Sequence, residues 1–250
     1  MNKVLCIVQA RMGSTRLPGK ILKKINDVTL LEYEIKRLRK SKLIDKIVVA
    51  TTSNTEDDST ENFCKEIGVD CFRGNDMNVL DRYFKCSQKY PEYNTILRIT
   101  GDCPLVDEEV VDEVIEFFNG GKYDYASNIE FGKHGYPDGI NAEILTRKAL
   151  EKSWKDAKLS SEREHVTFYI RNNPSLFKSG HISSKEDLSH YRLTVDNPED
   201  FEVIKFLIET IGTDAGYKTY VEALDKNPAI INKNAHLKRY EGLKKSIKND

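Results

Sequence analysis

The chain opens on a short apolar run, Val4-Leu-Cys-Ile-Val8, and a second such run, Lys46-Ile-Val-Val-Ala-Thr51, follows further along. Uninterrupted runs of this length predict strands buried on both faces. Between them, Thr29-Leu-Leu-Glu32 has the spacing of a capping box and opens a predicted helix with Leu31, Ile35 and Leu38 on one face. A second helix is predicted from Glu56 to Ile67, with Gly68 placed to end it, and Val69-Asp-Cys-Phe72 reads as a short strand. Val79 to Lys89 is helical in pattern and stops before Pro91; Thr95-Ile-Leu-Arg-Ile-Thr100 is the next strand. Val110, Val111, Val114, Ile115 and Phe118 mark an amphipathic helix ending at Gly120-Gly121, and Tyr123 to Asn128 resumes as a strand. Strands and helices alternating in units of this size predict an α/β fold with a mostly parallel sheet covered on both faces.

The stretch from about 130 to 190 breaks this rhythm, with Gly132, Gly135, Pro137 and Gly139 interrupting it. It reads either as an antiparallel flap over the sheet or as an interface arm. Arg192-Leu-Thr-Val-Asp196 is predicted as a returning strand, and Asn197-Pro198-Glu199-Asp200 starts a helix with proline in its first turn. From about 210 the tail is helical. With no internal repeat and no low-complexity linker, residues 1–250 read as a single domain carrying an insertion at about 130–190.

Composition removes several classes. The 39 Lys and Arg against 40 Asp and Glu leave a formal net charge of −1, so the footprint of nucleic-acid binding is absent. No apolar run approaches the roughly 20 residues of a membrane span, and the opening segment reads as a buried strand and not as a signal peptide. Five cysteines (Cys6, Cys64, Cys71, Cys86, Cys103) include no C-x-x-C pair, and none of the five histidines is spaced for structural zinc. A reduced, cytoplasmic compartment is therefore expected, with the cysteines as small core residues.

The chemistry concentrates in the connection after the first strand, Gln9-Ala-Arg-Met-Gly-Ser-Thr-Arg-Leu-Pro-Gly-Lys20. From Arg11 to Lys24 there are five basic residues and no acidic one, in a chain otherwise nearly neutral. Gly13 allows close approach of a ligand, Ser14 and Thr15 offer hydroxyls, and Arg16 and Lys20 suit a polyphosphate, one as a planar fork and one as a point charge. The segment is neither a Walker A loop nor G-x-G-x-x-G. A loop at the end of a parallel strand is where such sheets bind ligands. Asp102 and Asp196 follow predicted strands in the same way; each suits Mg²⁺, which takes oxygen ligands, and each also suits a helix N-cap.

These residues resemble a known family. The Gln9–Lys20 motif is similar to the opening motif of cytidylyltransferases that make CMP-activated sugar acids. The resemblance is to the branch named after a spore-coat polysaccharide biosynthesis protein, related to CMP-KDO synthetases and acylneuraminate cytidylyltransferases. Val79-Leu-Asp-Arg82, Arg98-Ile-Thr-Gly-Asp-Cys-Pro104, Arg163-Glu-His-Val-Thr167 and Leu193-Thr-Val-Asp-Asn-Pro-Glu-Asp200 resemble that branch too. The resemblance implies a GT-A-like, Rossmann-related nucleotidyltransferase fold, CTP as nucleotide, pyrophosphate as product, and a homodimer formed through roughly 130–190. It implies Arg16 and Lys20 on the β- and γ-phosphates, beside Ala10, Arg11, Met12, Gly13, Ser14 and Thr15. Asp102 and Asp196 would hold Mg²⁺.

Other candidates are weighed on residue chemistry. Asp81 and Arg82, in the first turns of a helix, face the nucleotide or form surface pairs. Arg98, a charge on a central strand, suits a phosphate contact. Glu164 and His165 suit an acceptor, although a lone histidine also serves as a hydrogen-bonded structural residue. Tyr136, Asp138 and Asn141 lie in the Gly/Pro-rich stretch where an acceptor pocket would form. Trp154 reads as a packing anchor, and His134, His181, His190 and His236 as surface residues. The leading expectation is a Mg²⁺-dependent cytidylyltransferase acting on a sugar acid or similar small molecule for surface-glycan synthesis. A glycosyltransferase of similar fold is the alternative, weakened by the lack of an Asp-x-Asp segment, and a nucleotide-binding protein without turnover is another.

Overall fold

The computed structural model describes residues 3–129 and 135–250. From β1 (Val4–Gln9) the chain passes through a long loop and the two-residue strands β2 (Lys24–Ile25) and β3 (Val28–Thr29) into α1 (Leu30–Leu38). It continues through β4 (Lys46–Thr52), α2 (Asp58–Glu66), β5 (Asp70–Gly74), α3 (Val79–Gln88), β6 (Thr95–Thr100) and α4 (Glu108–Gly121). The helices start where the sequence signals them. Thr29 accepts a hydrogen bond from the Glu32 amide (3.1 Å) at the head of α1, and Asn78 accepts one from Asp81 (2.9 Å) at the head of α3. β1 pairs in parallel with β4 and β6, and β4 with β5, so the first half is the expected parallel core.

The second half adds β7 (Tyr125–Ser127), β8 (Glu143–Thr146), α5 (Arg147–Asp156), α6 (Ser160–Glu164), α7 (Phe168–Asn172) and β9 (Ser179–His181). Among the described residues the main sheet runs β5-β4-β1-β6-β8-β7-β9, with β8 antiparallel to both neighbours. Much of the stretch read as a flap or arm is therefore woven into the sheet. There α5 packs on α3, with Trp154 stacked on Phe84 at 4.2 Å between ring centres, the packing role expected of it. Gly132 and His134 lie outside the described residues; His181, His190 and His236 are exposed.

Arg192–Asp196 is not the strand the apolar alternation predicts. Only Arg192 forms a bridge, to Asp138. The amides of Leu193, Val195 and Asp196 go to three different acceptors: the Asp138 carbonyl, the Asp102 carbonyl and the Asp200 carboxylate. A segment whose hydrogen bonds are shared among three partners builds no ladder. It leads into α8 (Pro198–Ile211), followed by α9 (Tyr217–Asp225), α10 (Pro228–Ile231) and α11 (Glu241–Ile247). No helix among the described residues is long and apolar enough to cross a membrane.

Strand periodicity divides the core. Val4, Cys6 and Val8 of β1 face α1 and α4, with Leu31, Ile35 and Val114; Leu5 and Ile7 face α3 and α5, with Leu80, Tyr83 and Leu150. A third cluster joins α8 and α9 to Tyr136, Leu193 and Val195. All five cysteines are free, and all but Cys71 are fully buried.

One buried charge stands inside this packing. Glu143 on β8 lies opposite Arg98 on β6 and accepts the Arg98 guanidinium along with the hydroxyls of Tyr125 and Thr167 (both 2.6 Å). Burial alone would raise its pKa; Arg98, Arg171 and the two hydroxyls outweigh that and hold it at about 2. A carboxylate with a depressed folded pKa stabilises the fold above its unfolded pKa, and that contribution is lost as pH falls through the folded value. Urea unfolding is thus expected to show roughly 3 kcal/mol of stability lost between about pH 5 and pH 2 from this group. Glu143→Gln should remove that part of the dependence; an identical pH profile in the variant would contradict it.

Candidate active site

The loop after β1 is built from its own backbone and one buried carboxylate. The Met12 carbonyl accepts the amides of Ser14 (2.8 Å) and Gly19 (3.0 Å), closing the loop on itself, and Gly19 supplies the left-handed φ of +66° this requires. Asp57, fully buried, accepts the Met12 amide (2.8 Å) and the Thr52 hydroxyl, which pins the loop to the end of β4. The turn after β6 approaches from the other side: the Gly101 amide donates to the Gln9 carbonyl (2.8 Å), and a Cβ on Gly101 would sit 2.9 Å from the Ala10 Cβ. The carboxyl ends of β1 and β6 thus form one continuous floor.

Lys20 closes it. Its buried ammonium donates to Asp102 (2.7 Å), Asp196 (2.8 Å) and the Val195 carbonyl (2.8 Å), joining three segments far apart in sequence. Burial opposes the ammonium charge, but the two carboxylates more than compensate and raise the Lys20 pKa to about 12. Burial likewise works against ionised Asp196, while Lys20, Arg16 and Arg192 lower its pKa to about 2. Arg192 spans Asp138 (2.7 Å), Asp196 (2.8 Å) and Asp200 (2.9 Å), so Asp196 is gripped from two sides. Arg16 reaches Asp196 at 2.9 Å and the Glu241 carboxylate at 3.6 Å. Beneath the turn, Glu34 accepts the Cys103 amide (3.3 Å); burial and then the Asp102 charge push its pKa well up.

Two cavities meet at this clamp. One, of about 280 Å³, is bordered by Ala10, Arg11, Ser14, Thr15, Arg16, Lys20, Arg98 and Asp102. The other, of about 240 Å³, is bordered by Asp138, Asn141, Glu143, Thr167, Arg171 and the 238–243 segment, and shares Arg16, Arg98, Asp102 and Asp196 with the first. Glu164 borders the first cavity and His165 both. The structure so brings together most of the residues singled out in the sequence.

Four expected residues fall elsewhere. Met12 and Gly13 do not border the cavity: the Met12 backbone is consumed in holding the loop, and Gly13 faces the Glu56 carboxylate. Asp81 turns away beneath α5, where it accepts the Trp154 indole N–H (2.9 Å) and pairs with Lys85 (2.9 Å). The buried Tyr136 side chain points into the third core cluster, with its hydroxyl on Glu113 (3.4 Å) and its ring against Tyr217. Arg98 borders both cavities, but its guanidinium is shared with Glu143 and the Gln9 side chain.

Arg82, weighed beside Asp81 in the sequence, borders the first cavity. The fold also delivers residues that the sequence did not mark: Asp76 and Met77 border the same cavity, and Asp76 holds Arg11 at 2.6 Å. The loop after β5 obeys the same rule as the loops after β1 and β6, and that rule points to Asp76 and Met77. Lys238, Tyr240 and Glu241 had no such signal, because nothing in a helical tail indicates that it folds back over the sheet.

Comparison with known proteins agrees with this geometry. A family model described as cytidylyltransferase matches residues 5–238. The chain is 40% identical over 244 residues to an uncharacterized protein of Methanocaldococcus jannaschii, covering 95% of this chain and 96% of that one. It is 37% identical over 238 residues to the spore coat polysaccharide biosynthesis protein SpsF of Bacillus subtilis, covering 91% and 96%. The solved structure of a cytidylyltransferase from Leptospira borgpetersenii matches with a TM-score of 0.86 and 38% identity, over 92% of this chain and 97% of that one. With the match running through both loops and the clamp between them, the chain belongs to the cytidylyltransferase family, enzymes of the nucleotidyltransferase class.

Proposed function

We propose that the protein transfers CMP from CTP to a sugar acid or related small acceptor, releasing pyrophosphate, in the synthesis of a surface polysaccharide or glycan. The observation that carries this reading is the meeting of two cavities at Asp102 and Asp196, the two carboxylates that Lys20 joins. A nucleotide in the first cavity lies along the basic loop, and an acceptor in the second reaches the same carboxylates from the other side.

The donor set suits Mg²⁺. Two aspartates converge closely enough to share one ammonium, both offer hard oxygen ligands, and each is partly exposed to the cavities. Among the described residues no third carboxylate, histidine or cysteine completes a cage. This matches an ion that keeps waters and takes phosphate oxygens for the rest of its shell. Asp102 and Asp196 would hold it, and bound there it would supply positive charge to the phosphate undergoing substitution. The chain's own part is positioning. Arg16 and Lys20 offset the charge of the triphosphate, Ser14 and Thr15 offer hydroxyl donors, and the floor of Ala10 and Gly101 lets the phosphates approach the backbone.

Arg16→Ala is expected to weaken CTP binding by about 10- to 100-fold, the loss of one charge-assisted contact, as read by isothermal titration. An unchanged affinity would make the loop a basic surface only. Asp102→Asn should abolish pyrophosphate release while keeping a cooperative unfolding transition. Full activity in that variant removes the role assigned to the carboxylate.

A further inference from the structure

Among the described residues, those bordering both cavities are Arg16, Arg98, Thr100, Asp102, His165 and Asp196. The guanidinium groups give up no proton at physiological pH, the threonine hydroxyl is not a base, and both aspartates are committed to Lys20. His165 is the member of this set suited to exchange a proton near neutrality.

Its ring is held by the C-terminal helix. The Ser246 hydroxyl on α11 has one proton and two acceptors, the Glu164 carboxylate and the Gly242 carbonyl (3.0 Å). Neither acceptor has a proton to offer, so the remaining contact, with His165 Nε2 at 3.1 Å, takes its proton from the imidazole. Nε2 therefore carries the hydrogen and Nδ1 the lone pair. This arrangement uses α11, which lies beyond the residues matched by the family model.

We propose that His165 is the general base of the transfer, accepting the proton of an acceptor hydroxyl at Nδ1 while Ser246 and Glu164 act as positioning residues that fix its tautomer. The inference rests on the CMP-transfer reading and commits the attacking group to a neutral hydroxyl, not an ionised carboxylate or phosphate. The acceptor oxygen forms its bond to the α-phosphorus as its proton passes to Nδ1. The bond from the α-phosphorus to the bridging oxygen breaks, and pyrophosphate leaves with that electron pair. The imidazolium then returns its proton to solvent.

Several charges face the ring: Glu164 of α6, Arg98 of β6, Arg171 of α7, Glu143 of β8, and Asp250 beyond α11. Burial is the largest influence and lowers the His165 pKa; Glu164 opposes it, and the two arginines reinforce it, giving a value below the ordinary 6.5. The ring is then in its basic form at pH 7, and activity is lost as pH falls through that lowered value.

Long-range ¹H–¹⁵N spectra of ¹⁵N-histidine-labelled protein, with His165 assigned from its absence in His165→Gln, report the tautomer without any acceptor. The Nε2–H form is expected, and the Nδ1–H form overturns the proposal. Pyrophosphate release from CTP and Mg²⁺ with 3-deoxy-manno-octulosonate or N-acetylneuraminate gives the kinetic test. His165→Gln should lower kcat on the order of 10²- to 10⁴-fold, keep CTP affinity and lose the acid limb of the pH–rate profile. Ser246→Ala should lower kcat less and move that limb. An acid limb that persists in His165→Gln, or kcat close to wild type, overturns the proposal. If wild type releases pyrophosphate with neither compound, the CMP-transfer reading fails for these acceptors, while the tautomer still decides the assignment of His165.

Discussion

The Lys20 ammonium is the constraint on which the site depends. It sits where the loop after β1, the turn after β6 and the segment before α8 converge, and it donates to an oxygen from each of the latter two as well as to the Val195 carbonyl. Without a cation there, Asp102 and Asp196 would meet at the cleft with no counter-charge between them, and an uncompensated charge in a partly buried site is costly. The lysine supplies that counter-charge and ties the basic loop to the acidic side of the cleft. A divalent cation and a nucleotide triphosphate would meet a charge arrangement of the same kind.

Several other buried charges follow that principle of local compensation. Arg192 is shared among three aspartates, Arg98 is matched by Glu143, and Arg37, on the buried side of α1, pairs with Glu108 at 3.0 Å and donates to two backbone carbonyls. Buried pairs of this kind contribute little net stability, yet removing one partner is costly. They fix side-chain positions instead, which is what a reaction catalysed by placement and electrostatics requires. The cavity walls therefore carry many charges with few degrees of freedom.

Where the structure departs from the sequence reading, the cause is competition for the same group. Asp81 follows the Asn78 cap, and a carboxylate in the first turn suits a ligand as well as a neighbouring helix; the Trp154 indole on α5 claims it. Tyr136 lies in an irregular stretch, but its large ring is driven into the third core cluster beside Tyr217. Arg192–Asp196 alternates like a strand because Leu193 and Val195 fill that same core, while its amides serve three separate partners.

The sequence by itself determined the parallel half of the sheet, because apolar runs, caps and helix ends are local signals carried by consecutive residues. It also marked the basic loop and Asp102, which follow β1 and β6 and are announced by position and charge, whereas Asp196 was marked through a strand that the fold does not form. Only the tertiary structure decided which charges pair, because Lys20 and Asp196 stand 176 positions apart and no local pattern links them. It decided as well that β8 runs antiparallel between β6 and β7. The fold also returns α11 over the cleft to set Ser246 against His165. Those choices depend on packing and on the cost of leaving a buried polar group without a partner, and both are properties of the assembled chain.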